Sequence, residues 1–171
     1  MKYKNFTLLL VFLVLASACS NGGKYVNRDA NYEIIVPSGW HVVPGGDGKS
    51  VSFTKYSTQK YGNSVISLRV DGIRFQSPME QLENELLPIF LSVNENENIQ
   101  MQSVGSPQIV NVNGKEWAAA KCYDEYDKIL RIYVTFSGKY SFVVVLFAVG
   151  QDRKDDEKIF LSTIRSLAIR N

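Results

Sequence analysis

The chain has 171 residues, 45% of them hydrophobic and 21% charged, with 19 Lys and Arg against 17 Asp and Glu. Both excess positive charges, Lys2 and Lys4, lie in an N-terminal leader, so the rest of the chain is formally neutral. Nucleic-acid binding needs a concentrated basic surface, and attraction to anionic lipid heads needs a polybasic segment. The composition therefore argues against nucleic acid as a partner and gives no strong electrostatic pull toward a membrane.

The first eighteen residues have the three-part layout of a secretory signal: a positive start, an apolar run over residues 6–15, and small side chains at 16–18. The apolar run is too short for a transmembrane helix, which needs about 20 residues. The five residues that end at Cys19, Leu-Ala-Ser-Ala-Cys, resemble a lipobox, whose cysteine receives a diacylglycerol group and palmitate. We expect cleavage between Ala18 and Cys19 and lipid on Cys19. The alternative, an ordinary signal peptidase site, cuts the same bond and adds no lipid.

Residues 19–31 are polar and aperiodic, which predicts a tether rather than part of a folded domain. Flexible-chain scaling for a tether of this length holds the domain roughly 20 Å from the bilayer. Ser20 follows the cysteine where an aspartate would favour retention at the inner membrane. We therefore expect the periplasmic face of the outer membrane, or the outer face of the cytoplasmic membrane in a host with one membrane.

Residues 32–171 predict one α+β domain, because their number is typical of a single domain with its own core. Apolar and polar residues alternate over 32–36, which predicts the first strand of this domain. Residues 40–53 form two alternating segments around a glycine-rich turn, which indicates a β-hairpin. Alternation over residues 64–71 predicts a further strand.

A helix is predicted to begin after Ser77, which has the side chain of a good N-cap. Pro78 suits the first helical position, and Glu80 completes a capping box three residues after the cap. Apolar residues then follow at helical spacing as far as Phe90. Pro88 is expected to kink or end this helix, because proline lacks the amide hydrogen that the helix interior needs.

The second half of the domain predicts more antiparallel strands than helices. Asn113-Gly114 is a strong signal for a two-residue hairpin turn. The short strands around this turn are predicted over residues 99–104, 109–112, 117–123 and 129–136.

Residues 140–149 are apolar at both alternating sets of positions, which predicts a central strand covered on both faces. This run is too short to cross a membrane. Asp152 is then expected to cap a last helix, with Phe160, Ile164 and Leu167 on its buried side.

Several of these features together resemble the PsbP-like family. They are the segment Tyr32-Glu-Ile-Ile-Val-Pro-Ser-Gly-Trp40, the strand at 65–70, the capped helix after Ser77, Val112-Asn-Gly114 and the helix at 159–167. Bacterial members of this family are often envelope lipoproteins, and DcrB-type proteins share the fold. The resemblance implies an antiparallel sheet with helices on its two faces, an α/β/α sandwich. It also implies a mostly non-catalytic module that binds or assists a larger assembly.

The residues of common catalytic and metal sites are scarce in this chain. His41 is the only histidine, so a Ser-His-Asp arrangement would have to use it, and no G-x-S-x-G motif occurs. Cys122 alternates with Ala118 and Ala120, which is typical of a small buried strand residue rather than a reactive thiol or a disulfide partner of Cys19. We therefore expect no enzyme, no metal site and no cofactor.

Aromatic residues give the one indication of a binding surface. Tyr56 and Tyr61 flank a long loop, and Trp40 and His41 lie together at a strand start. Tyrosine is common in interfaces because it joins apolar area to a polar tip. These four residues are candidate contacts for an envelope protein partner, with core and sheet-edge packing as the alternative for the tyrosines.

Three acidic residues, Asp124, Glu125 and Asp127, lie close together before a predicted strand. They are compatible with a weak cation site or, alternatively, with the solvated end of a hairpin.

Three functions of different classes follow from these observations. The leading hypothesis is a non-catalytic accessory or binding module of an envelope complex. The second is a carrier of a small apolar or lipidic ligand, which a large apolar cavity between helix and sheet would favour. The third is a hydrolase, which would need a cleft that joins His41 to a carboxylate of shifted pKa.

Overall fold

A computed structural model describes residues 22–55, 63–92, 102–124 and 128–170. Within these residues the strands form two antiparallel sheets, one of three strands and one of eight. The small sheet has the order β1-β2-β11, and the large sheet has the order β3-β4-β5-β10-β9-β8-β6, with β7 also paired to β8. The strands are β1 (Lys24–Asn27), β2 (Tyr32–Ile35), β3 (His41–Pro44), β4 (Val51–Lys55), β5 (Ser64–Gly72), β6 (Gln102–Ser103), β7 (Gln108–Val112), β8 (Lys115–Tyr123), β9 (Ile129–Ser137), β10 (Tyr140–Ala148) and β11 (Ala168–Ile169).

Helices lie on both faces of the large sheet, which confirms the predicted α+β architecture. The helices are α1 (Pro78–Gln81), a π-helical segment (Leu82–Leu86) and α2 (Leu87–Ser92), which follow one another directly, and α3 (Arg153–Ser166) near the C-terminus. No helix in the described part of the chain has the length and apolar character needed to span a membrane.

Strand β10 lies between β5 and β9 near the middle of the large sheet and contributes to both hydrophobic cores. Phe142, Val144 and Leu146 point to the core beneath α3, whereas Val143 points to the core beneath α1 and α2. The predicted central strand with two covered faces is therefore confirmed.

The core beneath α3 also contains the small sheet. Phe160 of α3 packs edge-on against Tyr133 of β9, with ring centroids 5.5 Å apart. Tyr32 of β2 packs in the same way against Phe142 of β10, at 6.0 Å. Because aromatic pairs favour such edge-to-face contacts, these rings fix α3 and the small sheet against the same side of the large sheet.

The other face is covered by the helix that begins at Pro78, as the capping motif predicts. The Ser77 hydroxyl accepts a hydrogen bond from the Glu80 amide at 3.1 Å, and Glu80 Oε2 accepts one from the Gln76 amide at 2.8 Å. The Ser77 bond satisfies the Glu80 amide, one of those that a helix N-terminus leaves without a partner. The Glu80 carboxylate binds the amide one residue before the cap, where a capping box has the amide of the cap residue itself.

Pro88 does not end this helix, because the helix widens just before it. In the π-helical segment the Leu87 amide donates to the Leu82 carbonyl, five residues back. A proline has no amide hydrogen and its ring crowds the carbonyl four residues earlier. The wider turn accommodates Pro88, and α2 continues to Ser92.

The Asn113-Gly114 turn forms as predicted, between β7 and β8. Both residues have a left-handed backbone, with φ of 53° at Asn113 and 76° at Gly114. This is the requirement of a type I′ hairpin turn, and Asn and Gly meet it at the least steric cost.

Asp152 occupies the N-cap position of α3, but its side chain does not cap the helix as expected. The Asp152 backbone carbonyl accepts from the amides of Asp155 and Asp156, each at 2.9 Å. Its carboxylate instead lies 3.1 Å from the Lys55 ammonium on β4. The predicted side-chain cap is therefore replaced by an ion pair to the sheet.

The predicted tether over residues 19–31 needs correction from Lys24 onward, because Lys24–Asn27 is strand β1, paired with β2. The Gly23 carbonyl accepts from the Val36 amide at 2.8 Å, so the pairing begins immediately before β1. Asn27 and Ala30 are buried, and the Asn27 side chain donates to the Gly48 carbonyl at 2.9 Å. These non-local contacts turn a polar segment into part of the domain.

Candidate functional site

Strands β3, β4 and β5 carry a surface that the helices of the described residues leave uncovered. His41 and Val43 of β3 are paired with Thr54 and Ser52 of β4, and these with Val65 and Ser67 of β5. Directly paired residues lie on the same face of a sheet. Val43 is 46% exposed and the other five side chains are half-buried, while the alternate residues of β4 and β5 are buried. We call these six residues the open sheet face.

The open sheet face exists because α1 and α2 pack over a different part of the same side. Leu82 and Leu86 share a buried cluster with Ala118, Ala120 and Ile132, which belong to β8 and β9. Small side chains on β8 let the helix approach this part of the sheet closely. No residue of β3, β4 or β5 in the described chain belongs to that buried cluster.

An ion-pair network borders the open sheet face on its helical side. Glu85, in the π-helical segment, accepts from Arg74 at 2.7 Å and from Gln81 at 2.8 Å. Arg69 of β5 lies within ion-pair distance of Asp71 at 2.5 Å and of Glu85 at 3.6 Å, although its Nε and Nη2 lack hydrogen-bond geometry to either carboxylate. The charges in this border largely compensate one another, so the surface beside it is close to neutral.

A second candidate surface lies on the opposite side of the large sheet, between α3 and the end of β2. This groove has a volume of about 500 Å³, within the range of ligand pockets. Ile35, at its edge, is 52% exposed, and the Ile35 amide donates to the Ser166 hydroxyl at 3.0 Å. We call it the α3 groove, and its lining residues are Gly22, Ile35, Val36, Pro37, Ser38, Lys158, Ile159, Ser162, Thr163 and Ser166.

The structure separates Trp40 from His41, two of the residues that were predicted to form an interface. Trp40 is only 2% exposed and belongs to the core beneath α3, so its predicted interface role is wrong. The large apolar area of its indole favours burial in that core, directly after the turn that precedes β3. His41, its neighbour, lies on the open sheet face. Tyr56 and Tyr61 lie outside the described residues, in the segment that joins β4 to β5.

The residues of the predicted signal cleavage and lipidation, Ala18 and Cys19, also lie outside the described residues. Cys122 is fully buried in the core beneath α1 and α2, and burial raises the pKa of its thiol. A buried thiol of raised pKa has little of the thiolate that nucleophilic chemistry requires. Its position agrees with the predicted structural role.

Asp124, the described member of the predicted acidic cluster, is buried and in contact with Lys128. Asp124 Oδ1 accepts from the Lys128 amide at 2.8 Å, and Oδ2 lies 3.6 Å from the Lys128 ammonium. Glu125 and Asp127 lie outside the described residues. Among the residues that are described, no three acidic, histidine or cysteine side chains come together as a metal site.

The N-terminal half of α3 carries ion pairs to the sheet that sequence reasoning missed, one of them to a buried carboxylate. Asp156 is 1% exposed and accepts from the Ser64 hydroxyl at 2.6 Å and from the Lys55 ammonium at 3.0 Å. Burial alone would lower the pKa of Lys55, but the hydrogen bonds and charges of Asp156 and Asp152 raise it overall.

Adjacent to this network, Glu157 of α3 is bound by two basic side chains of the sheet. Arg131 of β9 donates to its carboxylate, and Lys121 of β8 lies 3.2 Å from it. Burial alone would raise the pKa of Glu157, but the hydrogen bond and charge of Arg131, with those of Lys121, hold it below its usual value. Together these contacts attach α3 to four strands and hold one wall of the α3 groove in place.

The open sheet face also escaped prediction, although the sequence contains a signal for it. In β4 and β5 the polar positions Ser52, Thr54 and Ser67 alternate with buried apolar residues. This alternation contrasts with β10, which is apolar on both sides. It indicates strands with one covered face and one accessible face.

Comparison with known proteins bears on the fold. No protein-family model and no curated protein matches the sequence. The structure is similar to the solution structure of cyanobacterial PsbP, CyanoP, from Synechocystis, with a TM-score of 0.63 at 14% identity over 90% of this chain and 96% of that one. It is also similar to a protein from Bacteroides thetaiotaomicron, with a TM-score of 0.55 at 16% identity over 89% of this chain and 50% of that one.

A third similar structure is a Pseudomonas aeruginosa protein of unknown function, with a TM-score of 0.50 at 13% identity over 89% of this chain and 99% of that one. These similarities confirm the PsbP-like fold that the sequence resemblance implied. At such identities they establish the fold alone.

Proposed function

We propose that this chain is a membrane-anchored lipoprotein that acts as a non-catalytic accessory or binding module of an envelope complex. The open sheet face is the proposed docking surface for the protein partner. We propose this surface because it presents half-exposed hydroxyl and β-branched side chains on strands whose other face is packed in a hydrophobic core. The core beneath α3 supports β4 and β5 through Phe53, Ile66 and Leu68.

The size of the open sheet face indicates what else must contribute to docking. Three strands of about five residues cover roughly 250 Å², given strand spacings of about 4.8 Å and a rise of about 3.4 Å per residue. A stable protein interface buries about 800 Å² on each partner. The segment that joins β4 to β5 in the chain, with Tyr56 and Tyr61, is the proposed extension of the interface, because it connects two strands of the open sheet face.

The proposed anchor rests on the signal-like leader and the lipobox-like sequence before Cys19. Acyl chains supply about 0.8 kcal/mol for each buried methylene, and two or more chains give stable attachment. Diacylglycerol and palmitate on Cys19 would therefore hold the domain at the membrane, with the outer membrane's periplasmic face as the proposed site.

The test is photocrosslinking in cells with the full, anchored chain. A photoreactive residue replaces Thr54 or Ser67 on the open sheet face, and the matched control replaces Lys154, which is exposed on α3. We expect one envelope protein to crosslink from Thr54 and Ser67 and not from Lys154, and the crosslink to disappear in a Cys19→Ala background. Equal crosslinking from all three positions would contradict the docking surface.

The contribution of the β4–β5 segment is tested by Tyr56→Ala combined with Tyr61→Ala. We expect weaker capture of the partner and an unchanged melting temperature, because interface tyrosines supply binding area rather than core packing. Unchanged capture would remove this segment from the proposed interface.

A second candidate function, carriage of a small apolar or lipidic ligand, is favoured by one observation. The α3 groove has about 500 Å³ and lies between a helix and a sheet, where such a ligand was expected to bind. Organic extraction of the purified Cys19→Ala protein, followed by mass spectrometry, should then yield one ligand per chain. A protein that is free of ligand would leave the accessory function as the proposal.

A further inference from the structure

The α3 groove lies close to the proposed lipid anchor along the chain. Gly22 lines the groove, and only Ser20 and Asn21 separate it from Cys19. Three residues span at most about 11 Å when fully extended. Because β1 starts at Lys24, the proposed anchor is joined to the folded domain by a much shorter segment than the predicted tether of residues 19–31.

The lining of the α3 groove combines apolar and hydroxyl side chains. Ile35, which is 52% exposed, and half-buried Ile159 supply most of the accessible apolar area, whereas Val36 and Pro37 are buried beside them. Exposure of an isoleucine to water in such a groove is unfavourable, and contact of the same side chain with hydrocarbon is favourable.

The exposed Lys158 side chain, at the rim of the α3 groove, places a cation where it can contact an anionic group. Lys158 lies 2.8 Å from Asp155, but the two side chains are 78% and 72% exposed. Exposed ion pairs contribute little free energy, so a lipid phosphate can compete for the Lys158 ammonium.

We propose that the α3 groove is the surface that the domain turns toward the bilayer, and that it accepts a membrane phospholipid. Part of an acyl chain lies along Ile35 and Ile159, and the phosphate lies near Lys158. This inference rests on the proposed anchoring through Cys19. It also agrees with the proposed docking surface, because the α3 groove and the open sheet face lie on opposite sides of the large sheet.

The experiment places a fluorophore on the lipidated protein and measures its depth in the membrane. Ser162→Cys labels the α3 groove, and Thr54→Cys labels the open sheet face as the matched control. Cys122 is buried, so the introduced cysteine is the thiol that reacts in each variant. The proteins are reconstituted into vesicles of phosphatidylethanolamine and phosphatidylglycerol that carry brominated acyl chains, which quench fluorophores close to them.

We expect quenching to be several-fold stronger for the label at Ser162 than for the label at Thr54. Ile35→Gln should reduce the quenching at Ser162, and Lys158→Gln should reduce it more than Lys154→Gln does. Equal quenching at both positions, or stronger quenching at Thr54, would overturn the inference.

Flotation of the same vesicles separates this inference from the proposed function. Protein that floats with the vesicles but shows equal quenching keeps its anchor, so only the inference about the α3 groove fails. Protein that does not float has no anchor, and both proposals then fail.

Discussion

The Ser64 hydroxyl on β5 donates a 2.6 Å hydrogen bond to the carboxylate of Asp156 on α3, and both side chains are buried. The same hydroxyl accepts from the Val149 amide at 3.2 Å, directly after β10. One serine therefore joins two neighbouring strands to the helix that covers them. Because buried polar groups are costly when they lose a partner, this contact should contribute to stability beyond its own strength.

Asp156→Asn should lower the free energy of unfolding by about 1–3 kcal/mol, because it weakens the bonds to Lys55 and Ser64 in a buried site. Urea unfolding measures this change. The matched control is Asp155→Asn, the neighbouring residue on α3, whose side chain is 72% exposed. A loss of similar size in both variants would contradict the importance of the buried contact.

The ion pair between Glu157 and Arg131 should make stability depend on acid pH. The pKa of Glu157 is lower in the folded protein than its ordinary value of 4.5, so the ionised form stabilises the fold. This stabilisation is fully present above about pH 4.5 and is lost as the pH falls through the folded-state pKa. Melting temperatures of the protein and of Glu157→Gln, measured from pH 7 to pH 3, should therefore converge toward low pH.

A double-mutant cycle checks the cause of this convergence. In an Arg131→Gln background, Glu157→Gln should cost less stability at pH 7 than it does in the unaltered chain, because the attraction has already been removed. A cost that is independent of both pH and Arg131 would assign the effect to packing.

Trp40→Ala should lower the free energy of unfolding by about 3–5 kcal/mol, since it removes a large side chain from a packed core. Val43→Ala, on the same edge of the sheet but 46% exposed, should cost less than about 1 kcal/mol. Chemical denaturation of both variants gives the comparison. If Trp40→Ala kept full stability and lost partner capture, the interface role predicted from sequence would be right and its core role wrong.

Cys122 should react with iodoacetamide only as the domain unfolds. Burial raises the pKa of the thiol, and the thiolate is the reactive form. In the Cys19→Ala protein, the labelled fraction should follow the urea unfolding curve. A Thr54→Cys variant provides an accessible thiol for comparison, and labelling of Cys122 in the native protein at the rate of that thiol would contradict its burial.

Much of the fold could be predicted because its signals are local. The Ser77-Pro78 start of the helix, the Asn113-Gly114 turn and the two-sided apolar strand β10 each depend on residues close together in the chain. Hydrogen bonding at a helix end, left-handed backbone in a tight turn and burial of both strand faces impose these residue types directly.

The features that escaped prediction depend on partners far away in the sequence. Strand β1 is stabilised by pairing with β2 and by the bond from Asn27 to the carbonyl of Gly48, twenty-one residues away. The Asp152 carboxylate bonds Lys55 rather than its own helix. The sequence around a polar side chain does not reveal which distant group will bind it. The start of the domain and the ion pairs of α3 could therefore be identified only from the structure.

The position of β10 between the two cores affects how the domain can unfold. Its even-numbered residues support α3 and its odd-numbered residue Val143 contributes to the core under α1, so detachment of either layer exposes apolar atoms of the same strand. We therefore expect that neither layer unfolds as a separate cooperative unit. Amide protons in α1 and in the middle of α3 should exchange with solvent through one shared opening reaction, with the same free energy and the same dependence on denaturant.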